Sequence, residues 1–196
     1  QMPRTMGDSF LHVSQFDYFV EASTPLPELG GGAIDEVTDA IGKNIAQLVE
    51  DGSTLQLGIG TIPDAVLKYL GGKKDLGIHS EMFSDGVVDL YEKGVITGAN
   101  KTLDKGKMVA AFLMGSKKLY DFVDNHPDVL MKTVDYVNNP AVICQNPKVV
   151  AINSCLQVDF NGQVNSESMG IKQFSGIGGQ LDYVRGAAMC PDGKAI

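Results

Sequence analysis

Short apolar runs alternate with stretches of helical periodicity along most of the chain, and this alternation constrains the fold more than any other feature. Thr54-Leu-Gln-Leu57 is an apolar run that leads into Gly58-Ile-Gly60, and Pro63 stands where the first turn of a helix accepts proline. The other predicted strands lie at 76–80 and 108–114, and the helices at 34–51, 85–93 and 117–125. Strands that alternate with helices predict an α/β fold with a mostly parallel open sheet and helices on both faces, that is, three layers.

Two further segments depart from this alternation. Apolar runs lie on either side of Asn161-Gly162, a strong short signal for a hairpin, so an antiparallel excursion is expected there. Residues 1–33 contain three prolines and a triple glycine, which is typical of a connector or interdomain arm. We therefore expect residues 34–196 to form the domain. Because the chain lacks an initiator Met and stops soon after a turn-like segment, we expect it to be a piece of a longer polypeptide, truncated at its C-terminus.

Composition narrows the class of protein and of partner. With 196 residues, 43% of them hydrophobic, the chain suits one well-filled domain. A net charge of −8, with the basic residues scattered, argues against a nucleic acid or an anionic membrane as partner. Three cysteines without metal-ligand spacing favour reduced thiols, and no run of ~20 apolar residues is present to span a membrane. We expect a cytoplasmic protein without a metal site.

The first candidate motif is the glycine turn Gly58-Ile-Gly-Thr-Ile-Pro63 between a predicted strand and a predicted helix. Glycines here let the backbone approach a ligand and leave helix N–H groups free to bind an anion. Pro63 replaces the third glycine of the dinucleotide fingerprint, and no Gly-Lys-Ser/Thr follows as in a P-loop. An ordinary tight turn is the alternative.

The second candidate is Glu81, which follows a predicted strand at the edge where an open α/β sheet presents residues to ligands. His79 and the pair Met82-Phe83 make its surroundings partly apolar, which favours a poorly hydrated and more nucleophilic carboxylate. On periodicity alone, a helix-start residue or a surface charge remains the alternative. Asp85 is interpreted as the cap of the helix that follows.

The third candidate is the glycine cluster Ser175-Gly-Ile-Gly-Gly-Gln-Leu-Asp182. Consecutive backbone N–H groups in such a loop, at Gly178 and Gly179, can form a nest for a developing oxyanion. A sharp chain reversal is the alternative.

Four motifs occur in order along the chain: Gly58-Ile-Gly60 with Pro63-Asp-Ala65, Gly77-Ile-His-Ser-Glu-Met-Phe-Ser-Asp-Gly86, Val164-Asn-Ser166 and Ser175-Gly-Ile-Gly-Gly-Gln180. Together they resemble the acetyl-CoA hydrolase/transferase family, in particular its 4-hydroxybutyrate and butyryl-CoA:acetate CoA-transferases. The resemblance covers residues 34 to 190 or so. It implies that the chain is the second of two related α/β halves of a CoA-transferase-like subunit, that the N-terminal half is missing, and that the protein is a homodimer or higher homo-oligomer.

The resemblance also implies roles for individual residues. Glu81 corresponds to the glutamate that forms a glutamyl-CoA thioester, and Gly179 to a backbone donor at that thioester. Leu156 falls where the family has another CoA contact, and Asn139 falls near a pocket asparagine. The CoA-contacting loop corresponds to Gly58, Ile59, Gly60, Thr61 and Ile62.

The activity that the resemblance implies is ping-pong transfer of CoA between an acyl-CoA and a short-chain carboxylic acid, with 4-hydroxybutyrate or butyrate and acetate as the suggested acids. Coenzyme A is then a substrate, and no tightly bound cofactor is expected. A hydrolase that uses the same glutamate is one alternative, and a non-catalytic nucleotide-binding module is another.

Overall fold

The structure is a computed structural model that describes residues 2–196, so Gln1, the first residue of the predicted connector, lies outside the described residues. It has the predicted alternation of strands and helices. The helices are α1 (Glu36–Leu48), α2 (Thr61–Lys68), α3 (Asp85–Glu92), α4 (Lys117–Val123), α5 (Val134–Val137), α6 (Pro140–Ile143) and α7 (Gln180–Met189). The strands are β1 (Met6–Gly7), β2 (Thr54–Leu57), β3 (Gly77–Ile78), β4 (Met82–Phe83), β5 (Met108–Ala110), β6 (Phe112–Leu113), β7 (Val129–Met131), β8 (Val149–Ile152), β9 (Gln157–Val158), β10 (Val164–Asn165), β11 (Ser168–Met169), β12 (Lys172–Gln173) and β13 (Lys194–Ala195).

The larger sheet has the strand order β13-β8-β2-β4-β6, and β3 also pairs with β2. The pairs β13–β8, β8–β2 and β2–β3 are parallel, whereas β2 and β4 meet antiparallel at Leu57 and Met82. The mostly parallel α/β fold is therefore confirmed. Because β2, β3 and β8 point the same way, the segments that follow them emerge at one edge of the sheet.

A smaller parallel sheet has the order β1-β7-β5. The prediction of one strand over 108–114 is wrong in one respect, since β5 pairs with β7 while β6 pairs with β4 in the larger sheet. The chain changes sheets at Ala111, where the N–H groups of Ala111 and Phe112 both donate to the Glu81 carbonyl at 2.9 and 3.0 Å. β1 lies within the predicted connector and joins this sheet; the domain boundary at residue 34 stays a prediction.

Helix α1 packs on α2 differently from the face that its periodicity predicts. The close contact is made by Gly42, where an added Cβ would lie 2.7 Å from the Cβ of Ala65. The apolar positions 34, 37, 41, 45 and 48 recur at steps of three and four and so predict one core-facing side. Val37 is nevertheless 68% exposed and Leu48 is 48% exposed. The helix is confirmed, but a small residue controls its approach to the core. None of the helices formed by residues 2–196 has the length and apolarity that a bilayer crossing requires.

The predicted hairpin around Asn161-Gly162 is confirmed, with β9 and β10 antiparallel and Gly162 at a φ of +82° in the turn. A second hairpin of β11 and β12, which the sequence did not indicate, follows directly. Both hairpins lie at the surface, and most of their apolar side chains are exposed.

Asp85 is not the cap of the helix that it begins, because Ser84 is the N-cap residue of α3. Its carboxylate instead accepts hydrogen bonds from the N–H groups of Ser116 and Leu119, at 2.9 and 3.2 Å, and from the Ser116 hydroxyl at 2.6 Å. Asp85 therefore satisfies the N-terminus of α4, the neighbouring helix. The reason is geometric: α3 and α4 pack side by side, so the first turn of α3 faces the free N–H groups of α4.

Candidate active site

Glu81 lies where the two sheets meet, just after β3. Its neighbour Ser80 is fully buried and ties this segment to β2: the Leu57 N–H donates to Ser80 Oγ at 3.0 Å, and the Ser80 hydroxyl donates to the Leu57 carbonyl at 3.3 Å. On the other side, the Ser80 N–H donates to the Val109 carbonyl at 3.1 Å. The backbone before the half-buried Glu81 is thus fixed from both sheets.

The carboxylate of Glu81 is held between α5 and α7. Asn138, directly after α5, donates from Nδ2 to Glu81 Oε2 at 3.0 Å. Gly179, the N-cap residue of α7, lies so close that an added Cβ would overlap Oε2 and would lie 2.8 Å from Asn138 Nδ2. The N-terminus of the ten-residue helix α7 therefore faces a negative charge, the favourable orientation for the helix dipole.

Behind this pair, two side chains share one acceptor. His79 Nε2 lies 2.9 Å from the Val137 carbonyl, and the Tyr183 hydroxyl donates to the same carbonyl at 3.0 Å. Burial lowers the pKa of His79 to about 4, partly opposed by the bond to Val137, so the ring is neutral near pH 7. A neutral ring that donates from Nε2 leaves Nδ1 without a proton, and this buried atom has no hydrogen-bond partner within residues 2–196.

Tyr183 and Lys101 are two further buried ionisable residues of this region. Burial, and then the negative charge of Glu81, raise the pKa of Tyr183, so its phenol stays protonated. Lys101 is 3% exposed and donates from Nζ to the carbonyls of Ile78 and Lys107, at 3.0 and 2.8 Å. Burial lowers the pKa of Lys101 to about 8. It anchors the end of β3 three residues before Glu81.

The predicted CoA loop lies at the same edge of the larger sheet. The Gly58 N–H donates to the Ile152 carbonyl at 3.0 Å, and Gly60, at a φ of +120°, is the N-cap residue of α2. A cavity of about 700 Å³ is lined by Gly58 to Thr61, the glycines of 30–32, Met82 and Asp64, among others. The Glu81 carboxylate does not line this cavity, although the Leu57–Met82 pair makes Gly58 and Glu81 neighbours in the sheet.

Of the predicted site residues, the structure brings Glu81 and Gly179 into contact, with Gly178 directly before Gly179 at a φ of +56°. Leu156 lies at the start of the exposed hairpin and makes no hydrogen bond to Glu81 or to the 58–62 loop. Ile62 is half-buried in the first turn of α2. The roles predicted for these residues in catalysis or CoA binding stay predictions.

The asparagine that contacts Glu81 is Asn138, the neighbour of the predicted pocket residue Asn139. Asn139 is the N-cap residue of α6, and its Oδ1 accepts the Ala141 N–H at 2.9 Å. The sequence contains a signal for this division, since Pro140 favours the first helical position and makes the preceding Asn a cap. The pocket role predicted for Asn139 stays a prediction. Within residues 2–196, no group of three or more His, Cys, Asp or Glu side chains is arranged to hold a metal ion.

Comparisons with known proteins agree on one family. The family model of the acetyl-CoA hydrolase/transferase C-terminal domain matches residues 115–196. The 4-hydroxybutyrate coenzyme A transferase of Clostridium kluyveri is 63% identical over 195 residues, which is 100% of this chain and 46% of that protein. The chain therefore spans less than half the length of this relative.

Solved structures give the same result. The crystal structure of RipA from Yersinia pestis superposes with a TM-score of 0.93 at 43% identity, over 98% of this chain and 44% of that one. The 4-hydroxybutyrate CoA-transferase from Porphyromonas gingivalis superposes with a TM-score of 0.88 at 45% identity, over 100% of this chain and 46% of that one. Residues 115–196 thus match the C-terminal domain of the acetyl-CoA hydrolase/transferase family, and the whole chain is similar to part of a 4-hydroxybutyrate coenzyme A transferase.

Proposed function

We propose that the chain supplies the nucleophile and part of the active site of an acyl-CoA:carboxylate CoA-transferase, with Glu81 as the nucleophile. The observation that carries this proposal is the Glu81 carboxylate, half-buried and held by the Asn138 amide against the N-terminus of α7. The names of the relatives, which are CoA-transferases, support the reaction class.

The reaction proceeds through covalent intermediates on Glu81. A carboxylate oxygen of Glu81 attacks the thioester carbonyl of the acyl-CoA, and the CoA thiolate leaves, which produces a mixed acyl-glutamyl anhydride. The thiolate then attacks the glutamyl carbonyl, releases the first carboxylate and forms a glutamyl-CoA thioester. A second carboxylate takes the CoA by the reverse of these steps. Each thioester or anhydride bond that breaks is replaced by another, so no oxidant or reductant is needed.

Stabilisation of the tetrahedral oxyanions is the main demand on the site, because a carboxylate is a weak nucleophile towards a thioester. The Asn138 amide already donates to Glu81, and Gly179 lies against the same carboxylate. We assign the N–H groups of Gly178 and Gly179 as the further donors. One donor of this kind contributes on the order of 3 kcal/mol to transition-state binding. Glycine fits this role at position 179 because a Cβ there would overlap Glu81 Oε2, and at position 178 because the φ of +56° favours glycine.

Substrate binding extends from Glu81 to the 58–62 loop. We assign Gly58, Ile59, Gly60, Thr61 and Ile62, together with Leu156 and Asn139, to CoA binding as the family resemblance implies. Short-chain acids such as 4-hydroxybutyrate, butyrate and acetate are the proposed acceptors, and CoA is a substrate rather than a resident cofactor. Activity is expected from the intact protein, with its N-terminal half, as a homodimer in the cytoplasm.

The test is to trap the thioester on Glu81 in the intact protein. The protein is incubated with butyryl-CoA, treated with borohydride and digested, and the peptide that contains Glu81 is analysed by mass spectrometry. We expect the Glu81 side chain to appear as CoA thioester, or as the alcohol after reduction. Glu81→Gln should abolish the modification, whereas Glu92→Gln, at an exposed position, should not. An unmodified Glu81 peptide during turnover contradicts the proposal.

Hydrolysis by water on the same thioester is the alternative for this site. It is distinguished by measuring the free thiol that is released from acyl-CoA when no acceptor acid is present. We expect thiol release to be slow without acetate and CoA exchange to be fast with it. Equal rates in both conditions would assign the protein to hydrolysis.

A further inference from the structure

The Val137 carbonyl is a shared acceptor for two buried side chains that come from different elements. His79 belongs to the segment that leads from β3 to Glu81, and Tyr183 lies on the first turns of α7. Both donate to this one oxygen, at 2.9 and 3.0 Å. A carbonyl oxygen has two lone pairs, so its hydrogen-bonding capacity is filled.

This carbonyl belongs to the same planar peptide group as the nitrogen of Asn138, the residue that contacts Glu81. Hydrogen bonds that hold the Val137 carbonyl therefore also fix the backbone nitrogen of Asn138, and with it the direction in which the Asn138 side chain leaves the backbone. Within the described residues, the buried Asn138 Oδ1 has no partner, so the amide is not held from its oxygen side. Its direction towards Glu81 depends on the backbone that carries it.

Helix α5 does not fix that backbone by itself. It consists of four residues, Val134–Val137, which is one turn, and a single turn has little stability of its own. The carbonyl of Val137 lies at its C-terminus, where helical carbonyls lack intrahelical partners. His79 and Tyr183 supply the missing donors.

We propose that His79 and Tyr183 are positioning residues that hold the Val137–Asn138 peptide, so that Asn138 presents its amide N–H to the Glu81 carboxylate. This inference rests on the proposed function of Glu81 and deepens it. Two elements that flank Glu81, the segment after β3 and helix α7, are thereby tied to the residue that orients its carboxylate. A role in packing alone would require the two rings but not their polar atoms.

The first experiment changes only the polar atoms, in the intact protein. Tyr183→Phe keeps the ring, and Tyr91→Phe is the matched control, because it removes a hydroxyl that donates to Asp128 at 2.7 Å. We expect Tyr183→Phe to lower kcat for CoA exchange, and the rate of Glu81 modification, about fivefold with KM within about twofold, and Tyr91→Phe to change neither. His79→Gln, which keeps a donor near the position of Nε2, should retain more activity than His79→Leu.

The second experiment asks whether Tyr183 acts through Asn138. In an Asn138→Ala background the carbonyl has no amide to orient, so Tyr183→Phe should lower the single-turnover rate of Glu81 modification less than about twofold. An equal fivefold loss in both backgrounds, or no loss in the unaltered background, would overturn the inference while leaving the proposed function intact. Absence of Glu81 modification in the unaltered protein would instead remove the proposed function.

Discussion

The absence of a side chain at Gly179 leaves the space that the Glu81 carboxylate occupies. Gly179 has φ −86° and ψ −2°, a conformation that any residue adopts, so alanine introduces no backbone strain there. An added Cβ would nevertheless overlap Glu81 Oε2. A functional reason, rather than a conformational one, therefore favours glycine at this position.

We predict that Gly179→Ala lowers the rate of CoA exchange in the intact protein on the order of 100-fold, because a displacement of the nucleophile by ~1 Å has an effect of that size. The melting temperature should change little. Gly176→Ala is the control, since a Cβ at Gly176 meets open space. Full activity of Gly179→Ala would show that the carboxylate does not work in the position seen here.

The buried His79 leads to a second prediction, which concerns the pH dependence of folding stability. Its pKa is lowered from 6.5 to about 4, mainly by burial, with Lys101 lowering it further and Asp104 opposing. The unfolded chain therefore binds this proton first as the pH falls, and the folded state loses stability between pH 6.5 and 4. We expect the free energy of unfolding to fall by about 3 kcal/mol more in the unaltered protein than in His79→Gln over this range. Parallel pH profiles from chemical denaturation would contradict this.

At the residue scale, the sequence identifies a site residue when its position depends on local structure. It does not do so when the position depends on packing between distant segments. The sequence places Glu81 at a strand end and the glycine cluster in a loop, but it does not predict helix α7, which begins within that cluster. Asn138 and Asn139 differ only in which one precedes Pro140, and contact with Glu81 depends on how α5 and α7 pack. That packing brings together residues 57 positions apart, which no local pattern encodes.

At the scale of elements, the best test concerns Asp85 and helix α4. Its carboxylate accepts two N–H groups and one hydroxyl from the N-terminus of that helix. We predict that Asp85→Ala destabilises the protein by about 2 kcal/mol, because it removes a charged cap from a partly buried helix start. Chemical denaturation measures the change. Asp89→Ala, which breaks only an exposed ion pair with Lys118, should cost about 0.5 kcal/mol or less. Equal effects would argue against the capping role.

Helices α1 to α4 and strands β2 and β3 could be predicted because each carries its own periodicity and turn residues. β2 was predicted with its observed bounds, and the hairpin at Asn161-Gly162 was located from its turn. The sequence does not show that residues 108–114 form two strands, β5 and β6, because their apolar side chains could pack in either sheet. The break between β5 and β6 occurs where the Glu81 carbonyl accepts hydrogen bonds from the N–H groups of Ala111 and Phe112.

At the scale of the whole molecule, the fold class follows from the order of elements, whereas closure of the structure depends on contacts between distant segments. β13, at the C-terminal end of the chain, pairs with β8 beside the central β2. Glu50 forms ion pairs with Lys148 at 2.9 Å and with Lys194, the first residue of β13, at 2.7 Å. The Glu50 carboxylate thus contacts two lysines that lie 98 and 144 residues after it in the sequence.

This cluster predicts a dependence of whole-molecule stability on pH and salt. The hydrogen bonds and charges of Lys194 and Lys148 lower the pKa of Glu50 from 4.5 to about 2. Its contribution is therefore fully present above pH 4.5 and is lost as the pH falls through about 2. We expect Glu50→Gln to lower the melting temperature at pH 7, by an amount that shrinks towards pH 2 and in 1 M salt, because the group is exposed and screened. Asp121→Asn, which breaks an exposed pair within α4, is the control and should have a smaller effect, since Asp121 joins no distant segments. If Glu50→Gln matched this control at every pH, the cluster would not contribute to holding the last strand on the sheet.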